Sequence, residues 1–169
     1  MAPVVTDEIL SGRAVVLTAS NRASEGVYAD RGGELLEQSL SAVGLQVRRV
    51  VLPDDVAQLS SAIRAAVVEG ADLVVTTGGT GLSPTDVTPE ATAGVIERPA
   101  PGLSEAIRAY GARKVPTAVL SRGLAGVAGR TLIVNLPGSI GGVRDGLAVL
   151  VPLLPHILSQ LHGGDHPRS

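Results

Sequence analysis

The chain has 169 residues, 44% of them hydrophobic, a formal net charge of −2 and no cysteine. That apolar fraction is enough for one core, and the missing thiols exclude disulfides, thiolate nucleophiles and cysteine-ligated zinc or iron–sulfur centres. Aromatic residues make up 1% and no long basic run offsets the acidic balance, which argues against base-stacking or broad electrostatic binding of nucleic acid.

Residues 1–10 place Asp7 and Glu8, and no basic residue, around their apolar positions, so they do not read as a signal peptide. A first buried strand is predicted over 12–18, then a helix over 34–43 with Leu36, Leu40 and Val43 on one face. Gly44 stops that helix. A second strand over 45–52 leads through Pro53, Asp54 and Asp55 to a helix over 56–68, striped by Val56, Leu59, Ile63 and Val67. Leu73, Val74 and Val75 form a buried strand that runs into Thr76-Thr77-Gly78-Gly79-Thr80-Gly81 and then Asp86-Val87-Thr88-Pro89-Glu90. Thr88 reads as an N-cap, with Pro89 at the first helical position and Glu90 just inside. Helices over 89–96 and 103–110 are parted by Arg98-Pro99-Ala100-Pro101-Gly102. Strands are predicted over 117–120 and 131–136, the second ending in Asn135-Leu136-Pro137-Gly138-Ser139. The apolar stretch 147–161 is shorter than the roughly 20 residues of a membrane span and contains Pro152 and Pro155, so it reads as a buried, bent helix. One domain is expected over 1–162, with a frayed tail over 163–169.

Strands alternating with helical patterns imply an α/β fold of three layers (αβα), a mostly parallel sheet with helices on both faces. Ligands collect outside the carboxyl ends of such strands. The polar groups cluster at those ends: Ser20 and Arg22, Asp54, the stretch 77–86, Ser121 and Arg122, and the stretch 135–139.

The glycine turn reads either as a tight connection or as an anion site, since Gly78, Gly79 and Gly81 permit positive φ and successive N–H groups form a concavity. A Walker A loop is excluded because Lys114 is the only lysine, and a dinucleotide fingerprint because Pro84 stands at its third glycine. Asp86 is a turn residue or a metal ligand, and Asp54 a helix cap or a metal ligand. Two separated carboxylates suit Mg²⁺ held together with substrate phosphates. Arg22 and Arg122 are solvated cations or bidentate phosphate contacts. His156, His162 and His166 show no compact ligand spacing, and none reads as catalytic. Together these segments are expected to converge on a single cationic hollow.

The motifs at Thr76-Thr77-Gly78-Gly79-Thr80-Gly81, Asp86-Val87-Thr88-Pro89-Glu90, Pro53-Asp54, Ser121-Arg122 and Asn135-Leu136-Pro137-Gly138-Ser139 resemble the Mog-type molybdopterin adenylyltransferases over nearly the whole chain. Their superfamily also holds MoaB-type proteins, eukaryotic cofactor-inserting domains and a domain of molybdopterin molybdenumtransferases. The segment Ser20 to Asp30, with Gly26-Val27-Tyr28, is similar to the adenylyltransferase branch. The resemblance implies transfer of AMP from ATP to the terminal phosphate of molybdopterin. It assigns Asp54 and Asp86 to Mg²⁺ and phosphate, and Thr77, Gly78, Gly79, Thr80 and Gly81 to cradling phosphate beside Thr88, Pro89 and Glu90. Ser20, Arg22, Ser121, Arg122, Asn135, Pro137, Gly138 and Ser139 fall to the pterin or nucleotide. It further implies a homotrimer that hands its product to a molybdenum insertase, while the absent cysteine, the scarce aromatics and the short apolar stretch lead to the expectation of a cytoplasmic protein with neither nucleic acid nor membrane as partner. The chain departs from the family at Thr85, where members often carry arginine; Arg22 or Arg122 is the candidate replacement. A non-catalytic pterin binder and a molybdate-inserting relative are the alternative readings.

Overall fold

Strands with branched residues on both faces need cover on both faces, and that requirement organises the fold. In the computed structural model, which describes residues 8–164, β1 (Arg13–Ala19) sends Ala14 and Val16 into one core and Val15 and Leu17 into another. In β3 (Leu73–Thr77) the same alternation divides Leu73 and Val75 from Val74, and in β6 (Thr131–Leu136) it divides Leu132, Val134 and Leu136 from Ile133. The first core is covered by Leu36 and Leu40 of α2 (Arg31–Ala42), Ile107 of α5 (Pro101–Ala112), Val143 and Leu147 of α6 (Ile140–Leu150), and Leu154 and Leu158 of α7 (Leu154–Leu161). Ile63 and Ala66 of α3 (Val56–Val68) cover the second, while Leu59 of α3 meets Ala91 of α4 (Thr88–Ala93) against Ala19.

The sheet has six strands in the order β2-β1-β3-β6-β5-β4, where β2 is Gln46–Leu52, β5 is Ala125–Ala128 and β4 is Arg98–Pro99. Its first four members are parallel, β5 runs antiparallel to β6, and β4 runs antiparallel to β5. The three-layer, mostly parallel architecture is the one expected. Polar side chains start the helices that lead away from the carboxyl ends of the strands. Ser20 accepts from the Ala23 N–H to cap α1 (Asn21–Ser24), Asp30 from Gly33 for α2, Asp55 from Gln58 for α3, and Ser139 from Gly142 for α6.

Several expectations change. Residues 117–120 are not a strand but part of a 3₁₀ turn, Pro116–Leu120, with Val119 and Leu120 exposed; a four-residue apolar run does not distinguish the two by periodicity. The edge strands β4 and β5 went unread because Arg98-Pro99 resembles a breaker and Ala125-Gly126-Val127-Ala128 is poor in strand formers. Thr88 is not an N-cap: Val87 occupies the boundary without a side-chain bond, and Thr88 is buried in the first turn. Gly163 and Gly164, expected to fray, bond back to Gln160 O and Ser159 O and close α7. The bent apolar helix is longer than expected, running as α6, a 3₁₀ turn (Val151–Leu153) and α7, with Val143, Leu150 and Leu154 fully buried. The N-terminal residues 1–7 and the tail residues 165–169 lie outside the described residues.

Gly126 allows β5 to lie under the loop after α4, since a Cβ there would stand 2.5 Å from Ile96 Cγ2 and 2.9 Å from Arg98 O. Gly126→Val is therefore expected to lower unfolding free energy by about 1–3 kcal/mol through overpacking. Urea titration checks this, and Ile96→Ala in the same chain should recover part of the loss.

Candidate functional site

The strand order β2-β1-β3 sends the chain from β1 to one side and back to the other, so the loops after β1 and β3 diverge and leave a crevice at the carboxyl end. A cleft of about 590 Å³ occupies that position, bounded by Ser20, Asp54, Gly78, Gly79, Asp86 and Gly138 among others. The loops meet there at van der Waals limits. Gly78 (φ 91°) lies so close to β1 that a Cβ would come within 2.4 Å of Ala19 O, and its N–H donates to Leu136 O at 3.1 Å. At Gly79 (φ 67°) a Cβ would fall 2.3 Å from Thr88 Oγ1. Only glycine satisfies both the backbone angle and the contact.

Asp54 is drawn into this arrangement by Asn21. Its Oδ2 accepts from the Asn21 N–H at 3.2 Å, while its own N–H donates to Asn21 Oδ1 at 2.9 Å. The helix-cap reading of Asp54 is overturned, because Asp55 performs that task. The other oxygen, Asp54 Oδ1, is buried without a hydrogen-bond partner, and a Cβ on Gly79 would stand 3.2 Å from it. It therefore faces the glycine turn. Burial pushes the Asp54 carboxyl above the usual range, the Asn21 N–H pulls it down, and the negative charge of Asp86 adds a further push upward. Asp86 accepts from the Ser83 N–H at 3.1 Å through Oδ2. Two carboxylates from different strand ends thus share one cleft and repel each other. A buried unpaired oxygen beside a second carboxylate fits a divalent cation, with phosphate oxygens supplying the remaining ligands. Among the described residues no group of three or more His, Cys, Asp or Glu forms a complete protein cage.

The expected single cationic hollow resolves into two clefts on either side of the glycine loop. The second, about 460 Å³, contains Thr80, Gly81, Ser121, Asn135, Pro137 and Ser139 in its wall. Arg108, Lys114 and Arg144 also border it, with Asp145 paired to Lys114. Three cations gather there, whereas in the lining of the first cleft Asp30, Asp54 and Asp86 outnumber Arg31.

Several predicted contact residues have their polar groups engaged by the protein. Arg122 donates from Nε to Gly81 O and from Nη2 to Asp86 O, each at 2.8 Å, and pairs through Nη1 with Glu90. That hydrogen bond holds the Glu90 carboxyl below its ordinary range. Arg122 thus ties down both ends of the segment from Gly81 to Asp86. Asn135 donates to Thr76 Oγ1 and Thr92 Oγ1, and accepts from the Leu124 N–H. Thr77 donates to Pro137 O and Thr88 to Gly78 O. Pro89 is buried in the first turn of α4. Arg22, exposed on α1, borders neither cleft. Asn21, Tyr28, Asp30 and Arg31 border or brace the acidic cleft and were missed. The signal for Asp30 was its place before Arg31-Gly32-Gly33, as a cap; the other three needed the folded loops.

The family described as "Probable molybdopterin binding domain" matches residues 15–156. The molybdopterin adenylyltransferase of Helicobacter pylori is 39% identical over 152 residues, which cover 88% of this chain and 86% of that protein. A molybdenum cofactor biosynthesis bifunctional protein of Chlorobaculum tepidum is 36% identical over 155 residues, 91% of this chain but 50% of the relative. The chain thus spans about half the length of that bifunctional relative. Among solved structures, the molybdopterin biosynthesis Mog protein of Mycobacterium ulcerans superposes with a TM-score of 0.85 at 49% identity, covering 89% of this chain and 99% of that one.

An acid raised by folding binds its proton more tightly in the folded state, so its contribution to stability is full in acid. That contribution is lost as the pH rises from near 3.8, the unfolded value, through the folded one. Asp54→Asn should accordingly melt above the wild type at pH 7 in chelator, with the gap closing as the pH falls to 3.5. Thermal scans at both pH values check this. Arg122→Ala should leave the sheet protected but raise amide exchange across residues 80–87, which hydrogen exchange reads directly.

Proposed function

The chain belongs to the family of molybdopterin-binding domains of molybdenum cofactor biosynthesis, and from that premise we propose that it transfers AMP from ATP to the terminal phosphate of molybdopterin. The carrying observation is the pair Asp54 and Asp86 in one cleft, with Asp54 Oδ1 buried and unpaired against the glycine turn. In this reading a molybdopterin phosphate oxygen attacks the α-phosphorus of ATP. A phosphoanhydride forms as the bond to the β-phosphate oxygen breaks, and pyrophosphate leaves. The attacking phosphate is ionised near neutral pH, since its second pKa is about 6. No general base is required, in agreement with a cleft that contains neither histidine nor cysteine.

The protein's part is alignment and charge neutralisation. Asp54 and Asp86 would hold Mg²⁺, which when bound supplies positive charge to the nucleotide phosphates. Gly78 and Gly79 bring the loop backbone close enough to fix the phosphates without a side chain intervening. Thr88 and Arg122 keep that loop in place by bonding its carbonyls. The second cleft, with Arg108, Lys114 and Arg144, offers cations without a metal and suits the other anionic substrate. Because the glycine loop separates the clefts, the two reacting phosphates would meet across it. The same reading takes the chain as a cytoplasmic homotrimer that passes adenylyl-molybdopterin to a molybdenum insertase.

One observation favours a second reading. Thr85 is exposed and among the described residues its hydroxyl meets only Ser83 Oγ at 3.1 Å, so the position next to Asp86 supplies no cation. A non-catalytic molybdopterin binder would have this feature. Incubation with molybdopterin, ATP and Mg²⁺ separates the two: pyrophosphate and adenylylated pterin form if the protein is an adenylyltransferase, and bound but unchanged pterin marks the alternative. Asp86→Asn should lower turnover roughly 10²–10³-fold, the scale of losing one charge-stabilising group, with the melting temperature retained.

A further inference from the structure

The acidic cleft has an excess of negative charge that a bound divalent cation alone would not convert into an anion site. Asp30 is already neutralised, since it accepts from Thr18 Oγ1 at 2.9 Å, from the Gly33 N–H at 3.0 Å and from Arg49 Nη1 at 3.0 Å. Asp54 and Asp86 remain, and a divalent cation balances only those two. A bound polyphosphate then needs a cation from the protein. Thr85 provides none, and Arg122 is committed to Glu90, Gly81 O and Asp86 O.

One arginine meets the need. Arg31, the first residue of α2, borders this cleft, is exposed, and has no side-chain partner among the described residues. Its place is fixed from both sides. Asp30 caps α2 immediately before it, and Gly32 after it lies so close to β3 that a Cβ would stand 3.3 Å from Thr77 Oγ1. Glycine in a helix costs about 1 kcal/mol relative to alanine. At Gly32 and Gly33 it brings the start of α2 up to β3 and Asp30, with a Cβ at Gly33 colliding with the Asp30 carboxylate. A long unpaired guanidinium is thereby mounted on a fixed helix start beside the metal-binding carboxylates.

We propose that Arg31 is the phosphate-gripping cation of the acidic cleft, bidentate to the β- and γ-phosphates of a metal-bound nucleoside triphosphate and to the pyrophosphate that leaves. Its planar fork matches two phosphate oxygens. The assignment rests on the adenylyl-transfer reading for the identity of the anion, though not for the existence of the site.

Titration calorimetry with magnesium pyrophosphate, at two ionic strengths, tests it without turnover. Arg31→Ala should weaken pyrophosphate binding at least 10-fold and flatten its salt dependence, whereas Arg31→Lys should restore part of the affinity. Arg130→Ala, at the β5–β6 turn on the opposite end of the sheet, should bind as the wild type does. In single-turnover assays the alanine variant should raise the KM for ATP more than it lowers kcat. Unchanged pyrophosphate affinity in a folded Arg31→Ala chain overturns the assignment, even where the wild type forms adenylylated pterin. Loss of affinity in a protein that forms no such product supports Arg31 as an anion ligand and overturns adenylyl transfer instead. A wild type that binds no pyrophosphate at any magnesium concentration overturns the assignment of Arg31.

Discussion

The site depends on a contact that leaves no room for a side chain: the backbone of Gly78 against the carbonyl of Ala19, and Gly79 against the hydroxyl of Thr88. Both glycines hold positive φ, so their sterics and backbone angles impose the same residue type. This contact brings the end of β3 beside the end of β1, places Asp54 against the turn and leaves the crevice between the diverging loops. Thr88 and Arg122 then hold the turn by its carbonyl oxygens. The cleft is a consequence of backbone packing first, and its charged side chains occupy what that packing leaves open.

The charge distribution follows a division of labour between holding the loop and meeting a ligand. Arg122, Glu90 and Asn135 are bonded to other protein groups and act on the loop. Asp54 is the opposite case, because one oxygen has no partner and burial works against its charge. Keeping such a group opposes stability, and its retention is intelligible where a cation is to be bound. In its proposed role Arg31 completes the pattern, as a cation with no side-chain partner among the described residues. An acidic cleft and a cationic one on the two sides of a single loop would also give the two substrates of the proposed reaction separate places to dock.

Much of this was legible from local pattern. The apolar run of Val15, Val16 and Leu17, and the stripe of Leu59 and Ile63, predicted β1 and α3 because burial on two faces or on one constrains residue type directly. The glycine turn, Asp54 and Asp86 were legible because a strand, a turn and a helix start follow in a set order. The edge was not legible: β4 is two residues long and β5 is made largely of Ala and Gly, so neither has a periodic signal. Nor could spacing separate Asp54 from Asp55 as the cap of α3, since either position is compatible with a helix beginning at Val56.

Sequence alone determined the α/β class, the paired cores and the segments that gather at the carboxyl end, because these follow from periodicity and the allowed angles of glycine and proline. Tertiary structure decided which polar atoms remain free. Whether Arg122 or Arg31 faces the cleft unpaired depends on carbonyls and carboxylates distant in the chain, such as Gly81 O, Asp86 O and Glu90 for Arg122. It likewise divided one expected hollow into two of opposite charge, since the side of a loop on which a side chain emerges is set by packing and not by its position in the sequence.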